Sequence, residues 1–367
     1  MRRRSDGRYE ERFSIDGRRY SAFGRTRDEC RKATEEKRRK IERGCYVTND
    51  TVTLSDYFEE YEGRRIRTGE IRRSTEQTDR QRFKRINEYM GNRRVQRIER
   101  REVLAMQEHL SKSLTPQGVN TTINLLRQIL KAAVLDGIAE TNAAADIKPL
   151  KVVATARGTT HRALEPEEER LFFQYAQGRL YYPLFKFLTL TGCRLGEAGA
   201  LGWRDIDRKN GVIHISKTLS RVNDNEWIIE APKTAAGIRD LPLSDEILFL
   251  LKQQKRNQLM LFGGKKVTAI DQTIFTNRSG GFVLRRSVNE SIKQTLAAAE
   301  SDGNHIPYFS AHSFRDTFAS RAYQSGVPPK IIQRLLGHAD FSTTMNVYVS
   351  ASENDLKEQY KRIKFAV

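Results

Sequence analysis

The segment from His312 to Tyr348, HSFRDTFASRAYQSGVPPKIIQRLLGHADFSTTMNVY, constrains the chain more than any other. His312 and Arg315 stand at i and i+3, a spacing that puts two side chains on one face of a helix. Gly326, Pro328 and Pro329 break that helix, and Ile331, Ile332, Leu335 and Leu336 predict a second one. Gly337 should end it, so that His338 emerges at a helix terminus. Ser342, Thr343 and Thr344 offer hydroxyl caps for a third, short helix carrying Tyr348. Two helices around a Gly-Val-Pro-Pro turn also fit a plain helix-turn-helix, and lone histidines more often serve packing. The segment alone leaves both readings open.

Charge narrows the choice. The chain of 367 residues has a formal net charge of +19, a pI near 9.9 and 30% charged residues. A surplus of that size attracts polyanions, of which nucleic acid is the commonest. Acids are interspersed among the bases, which disfavours a basic amphipathic membrane helix. Cys30, Cys45 and Cys193 form no CxxC pair, against a disulfide framework or structural zinc and in favour of a reducing compartment. MRRRSDGRYEER has no apolar run behind its charges, and no stretch approaches about 18 apolar residues, so neither a signal peptide nor a membrane span is expected. The expected location is the cytoplasm.

Length suggests two or three domains at about 150 residues each, and the expected class is multidomain α+β. Residues 1–46 read as a small β-sheet plus one helix, with 16 Lys and Arg against 9 Asp and Glu between Arg2 and Arg43. Two strands, Arg8 to Ile15 and Arg18 to Phe23, flank the hairpin signal Asp16-Gly17. Thr26 and Glu29 form a capping box for a helix running to about Arg43. An Arg-rich ribbon followed by a helix can enter a DNA major groove; the alternative is a small solvated appendage. Arg12, Arg18, Arg19 and Tyr20 are the contact candidates.

Residues 51–150 read as all-helical, with Val119, Ile123, Leu126, Leu130 and Val134 as a buried stripe and Arg127 and Lys131 as candidates for DNA contact. Residues 151–162 read as a basic linker. Residues 163–367 read as a mainly helical domain with a small antiparallel sheet, built from the strand after Trp203, Trp227 to Glu230 and Ile238 to Leu241.

Three upstream residues belong with the opening segment. Arg194 follows an apolar helix and Thr-Gly, and Glu197 can brace it. Lys233 lies in APKTAAG, a hairpin tip from which an ammonium could reach a ligand. Each has a plainer alternative, an ion pair or a solvated turn.

Together, TGCRLGEAGALGWRDID, PKTAAGIRDLPL, HSFRDTFAS, LLGHAD and MNVY resemble the tyrosine recombinases, in particular integrases of phages and of integrative elements of the conjugative-transposon kind. The resemblance spans nearly the whole chain and is strongest from Ala163 to Tyr348. It implies a catalytic set of Arg194, Lys233, His312, Arg315, His338 and Tyr348, the last as nucleophile, without metal, ATP or other cofactor. A tyrosine titrating near 10 is a weak nucleophile toward a phosphodiester and needs such help. The resemblance further implies an arm-site DNA-binding domain at residues 1–46 and a core-site domain at 51–150. It implies a tetrameric synapse joined through the C-terminal tail, in which Leu356, Tyr360 and Ile363 share a helix face. Core and arm attachment sites, an excisionase and a host DNA-bending protein are the implied partners. Two departures stand out. Ala143 replaces the usual proline, predicting a different exit from the last helix of the second domain. Gly199 replaces a bulkier apolar residue, predicting looser packing behind Arg194. A regulator on the same fold without catalysis, and a type IB topoisomerase, are the competing readings.

Overall fold

The computed structural model describes residues 1–15, 17–42, 51–152, 162–221, 226–232, 234–263 and 273–340. The chain divides into two compact units, Met1–Val153 and Ala154–Val367.

In the first unit, β1 (Arg2–Arg3), β2 (Tyr9–Ile15) and β3 (Arg18–Gly24) form an antiparallel sheet in that order, followed by α1 (Arg27–Glu42). The expected hairpin is present, Ile15 pairing with Arg18 and Gly17 at φ 77°; β1 is an addition. Residue alternation sorts the strands. Phe13, Ala22 and Cys30 are buried between sheet and helix, whereas Arg12, Ser14 and Arg19 are exposed. The helix start departs slightly from a capping box: Thr26 accepts from the Glu29 amide at 3.1 Å, but Glu29 accepts from the Arg25 amide at 2.8 Å.

The rest of this unit is helical: α2 (Leu54–Arg67), α3 (Arg73–Met90), α4 (Arg100–Ser111) and α5 (Pro116–Leu135). Thr53 and Thr115 cap α2 and α5, with Pro116 at the first helical position of α5. The predicted stripe Val119, Ile123, Leu126 and Leu130 is buried, joined by Ile129, while Val134 is only half-buried. Phe58 and Phe83 stack at the centre, ring centroids 3.7 Å apart. The exit from α5 is stitched by side chains. Asn142 donates to the Arg127 carbonyl and accepts from the Ala144 amide, both at 3.0 Å, so an asparagine clasp closes the turn on either side of Ala143. Asn120 then pairs with both backbone groups of Leu150.

Beneath α2 lies a buried ion cluster. Arg65 donates to Glu62 at 3.0 Å and to Asp79 at 3.2 Å, and Glu62 is fully buried.

In the second unit the order is α6 (Pro166–Ala176), α7 (Tyr182–Thr191), α8 (Leu195–Ala200), β4 (Ile206–Asp207), β5 (Val212–Ile215), β6 (Thr218–Arg221), β7 (Trp227–Glu230), β8 (Arg239–Pro242), α9 (Asp245–Phe262), α10 (Arg285–Ser301), α11 (Ser313–Gln324) and α12 (Pro329–Leu336). Phe172 lies 5.0–5.6 Å from the rings of Phe185, Phe309 and Phe314 and anchors the core. The chain enters along α11, where the Leu164 amide donates to the buried Thr317 hydroxyl at 2.9 Å.

Two expectations are corrected. Trp227–Glu230 does not join the sheet β4-β5-β8; it pairs with Thr218–Arg221 in a separate two-stranded sheet, because the strand begun at Val212 is interrupted at Ser216 and Lys217 and resumes as a second strand that the alternation did not reveal. Packing at Gly199 is not loose either. A Cβ there would stand 3.4 Å from Leu219, so the β6 side chain fills the space a larger residue would take. Among the described residues no helix is long and apolar enough to cross a membrane.

The ion cluster gives a stability test. Arg65→Met should cost about 3–5 kcal/mol, because it leaves the buried Glu62 carboxylate without its paired cation, whereas Asp79 keeps Arg82 at 3.3 Å. Urea unfolding of the full chain measures it, and adding Glu62→Gln should recover much of the loss.

Candidate active site

The site assembles at helix ends. Four helix termini, two of them closed by left-handed glycines, bring its charged groups together.

Arg194 is the N-cap of α8. Glu197, one turn on, accepts from the Arg194 amide at 2.9 Å and from its Nη1 at 2.8 Å, as the sequence suggested. Glu197 is buried, whereas the Arg194 side chain is 41% exposed. A second cation meets the same carboxylate: Arg239, on β8, donates Nη2 to Oε2 at 2.9 Å and Nη1 to Oε1 at 3.3 Å. Burial would raise the Glu197 pKa, but the Arg239 and Arg194 bonds and charges overcome it and hold the group below the usual carboxylate value.

Arg315, on the first turn of α11, is buried. Its Nη1 donates to the Gly192 carbonyl and its Nη2 to the Leu336 carbonyl, both at 2.7 Å. Gly192 closes α7 at φ 63° and Gly337 closes α12 at φ 67°. The guanidinium thus bridges two helix C-termini, where partial negative charge concentrates. Its Nε, also buried, has no partner among the described residues. Burial first, then Arg194 and Arg239, lowers the Arg315 pKa to about 9, with Glu197 opposing. The group remains a cation at neutral pH.

His338 follows the Gly337 turn, as predicted. Gln333 fixes its backbone, its carbonyl accepting from the His338 amide at 3.2 Å and its side chain donating to the His338 carbonyl at 3.0 Å. Burial first, then the charges of Arg315, Arg194, His312 and Arg239, brings the imidazole to about 4. It is neutral at pH 7, with one ring nitrogen able to donate and the other to accept. His312 caps α11 and is 47% exposed, with Nε2 3.8 Å from Asp316. The i, i+3 pair therefore splits into a buried arginine and an exposed histidine. Lys233 and Tyr348 lie outside the described residues, as does Tyr360.

Of the six expected residues, the structure thus gathers Arg194, Arg315, His338 and His312. Arg239 and Gln333 were missed. Arg239 had a signal: in a strand whose Leu241 faces the core, the residue two before must face inward too. Gln333 had none: besides Lys330, which donates to its Oε1 at 3.1 Å, its partners are backbone groups of His338 beyond the helix end.

The DNA-contact candidates fare unevenly. Arg12 is exposed on the open sheet face, held by Glu10 at 2.9 Å, and Arg19 is exposed on the same face. Arg18 stands in register with Ile15. Tyr20 is part of the packing layer, stacked 5.8 Å from Phe13. Arg127 is an internal clamp, donating Nε to the Ala144 carbonyl at 2.9 Å and Nη2 to the Ile147 carbonyl at 2.8 Å. Lys131 is exposed on α5.

The profile of the phage integrase family matches residues 162–355. The transposase of transposon Tn916 from Enterococcus faecalis is 28% identical over 206 residues, covering 54% of this chain and 50% of that protein. The chain therefore spans about half the length of that relative. The ICEBs1 integrase of Bacillus subtilis (strain 168) is 26% identical over 284 residues, 76% of this chain and 74% of that one. Among solved structures, the Tn1549 transposon integrase in complex with a circular intermediate DNA superposes with a TM-score of 0.71 at 20% identity, over 85% of this chain and 99% of that chain. A lambda integrase tetramer bound to a Holliday junction gives 0.60 at 17%, over 94% and 93%. At these identities the likeness is one of fold.

His338 should leave a signature in stability. Unfolded, it takes a proton near 6.5; folded, only near 4. Between those values the unfolded chain binds more protons, so the contribution is full above about pH 6.5 and lost as pH falls through 4. Thermal melts from pH 7 to pH 4 should show a shallower decline for His338→Gln than for wild type; parallel curves would refute the assignment.

Proposed function

The chain belongs to the phage integrase family, and on that premise we propose that it is a site-specific DNA recombinase, cutting and rejoining strands through a 3′-phosphotyrosine link to integrate a mobile element and, with accessory factors, to excise it. The observation that carries the reading is the cation surplus at the site. Arg239, wholly engaged by protein, neutralises the one carboxylate, Glu197, which leaves the charges of Arg194 and Arg315 in surplus beside an imidazole that is neutral at pH 7. Such a group favours a ligand that is itself an anion, and a phosphodiester gains charge on attack.

The chemistry then follows from the side chains. The Tyr348 oxygen attacks phosphorus, its proton passing to solvent with help from the histidine side, and the bond to the 5′ oxygen breaks. Arg194 and Arg315 neutralise the non-bridging oxygens in the transition state, preorganised by Glu197 and by the two helix-end carbonyls. His338 hydrogen-bonds the phosphate, and His312, at the exposed mouth of α11, serves the tyrosine side. Lys233 protonates the departing 5′ oxygen. The roles of Lys233 and Tyr348 rest on the order and spacing of the motifs. One ester bond replaces another, so neither ATP nor a metal is needed for energy balance.

Residues 1–46, 51–150 and 163–367 would then serve arm-site binding, core-site binding and catalysis, with 151–162 as the linker. The Tn1549 enzyme was solved on circular intermediate DNA and the lambda enzyme as a tetramer on a Holliday junction. Those complexes support double-stranded attachment sites as substrate and a four-protomer synapse here, joined through the C-terminal tail. An excisionase and a host DNA-bending protein complete the proposed partners, and the cytoplasm, at the nucleoid, is the proposed location.

A nicked duplex from the junction flanking the gene should trap a covalent complex with wild-type protein. Tyr348→Phe should abolish it, and Arg315→Ala should slow it by about 10²–10³-fold with little change in duplex affinity. No covalent complex with wild type, or an equal yield with Tyr348→Phe, would sink the reading and favour a regulator without catalysis. Relaxation of any plasmid irrespective of sequence would favour a topoisomerase.

Contact by the small sheet has its own test. Arg12→Ala with Arg19→Ala should weaken arm-site binding and lower the slope of log affinity against log salt by about 2, at roughly 0.9 per lost phosphate contact. Core-site cleavage should not change. An unaltered salt slope would exclude these two side chains from the interface.

A further inference from the structure

We propose that Arg239 is a positioning residue for strand cleavage, joining Glu197 to the end of α12 so that Arg194 and His338 are held in one fixed arrangement. This rests on the recombinase reading and adds to its catalytic set a residue that does not touch DNA.

The geometry separates Arg239 from the other two arginines. Its Nε donates to the Leu335 carbonyl at 2.6 Å, its Nη1 to the Gly237 carbonyl at 3.1 Å, and both terminal nitrogens reach Glu197. Every guanidinium nitrogen is engaged by protein and the side chain is 4% exposed, so no face remains for a phosphate. Arg315, by contrast, keeps a buried Nε with no partner among the described residues, and Arg194 is 41% exposed.

Three pieces of the site meet on this side chain. Glu197 holds Arg194. Leu335 lies three residues before His338, in the last turn of α12. Gly237 closes the short turn Ala235–Gly237, downstream of Lys233 in sequence. The fit is close: a Cβ on Gly337 would stand 3.0 Å from Arg239 Nη1 and 2.7 Å from the Ala236 carbonyl. The turn that presents His338 is thus pressed directly onto Arg239.

Charge gives the arrangement a purpose. Glu197 needs a buried counter-ion. With Arg239 in place, Arg194 is not required to neutralise it fully and stays available at the surface of the site. Without Arg239, Arg194 would be drawn onto the carboxylate and away from the phosphate. His338 would lose its lateral support as well.

The test is single-turnover cleavage of the nicked attachment duplex at saturating full-length protein, recording rate constant and amplitude separately. Arg239→Gln should lower the rate constant by about 10²-fold, the order expected for a misplacement of about 1 Å, with duplex affinity within about twofold of wild type. Arg239→Lys keeps the charge but has one compact ammonium in place of the guanidinium fork, so it should fall about 10-fold; it also decides the matter where the glutamine variant does not fold. Because the residue acts through Glu197, Glu197→Gln combined with Arg239→Gln should be no slower than the worse single variant. A merely structural role would lower the amplitude and leave the rate constant at the wild-type value, and that result overturns the proposal, as would fully additive losses. Absence of any covalent complex with wild type would instead overturn the recombinase reading itself.

Discussion

Glu197 stays ionised although it is buried, because Arg239 and Arg194 meet its two oxygens from different elements. An ion held this way is a strong local constraint, since removing either partner exposes the other to the full penalty of an unpaired buried charge. It fixes the start of α8 against β8. Through the Leu335 carbonyl it also fixes the end of α12. Sequence separation matters little here: residues 194, 197, 239 and 335 become neighbours because one carboxylate and one guanidinium each have several bonding directions to fill.

The second constraint is the pair of left-handed glycines. Arg315 needs two carbonyl acceptors with free lone pairs, and those exist where helices end. Gly192 and Gly337 supply both ends by turning the chain at positive φ in spaces that exclude any side chain. At Gly192 a Cβ would lie 2.5 Å from the Phe318 ring, and at Gly337 it would lie 2.7 Å from the Ala236 carbonyl. A substitution at either would meet both backbone strain and collision, in the turns that place Arg315 and His338.

Much of this could be read from the residue string. Gly337 as a helix stop, the i, i+3 spacing of Arg194 and Glu197, and the burial of the α5 stripe are local facts, dictated by periodicity and capping chemistry. What escaped was non-local. Arg239 looks like a strand arginine until Glu197, 42 residues away, is placed beside it. Arg127 looks like a solvated helix cation until the carbonyls of Ala144 and Ile147 fold back onto it. Trp227–Glu230 alternates as any strand does, and alternation does not name a partner. In each case the deciding group was a backbone carbonyl or a distant carboxylate, and composition and period are silent about both.

The choice of arginine at position 315 has a physical reason. Burial and two neighbouring guanidinium groups lower its pKa to about 9. It remains a cation at pH 7. The same burial and charge acting on a lysine, a weaker base to begin with, would drive it further towards its neutral form. A lysine would also lose the second of the two carbonyl bonds, since a compact ammonium cannot span Gly192 and Leu336 as a planar fork does. Crowding three cations around one carboxylate is therefore tolerable only with the most basic side chain available. Any anion entering the site would relieve that crowding, since it would favour the charged form of each guanidinium.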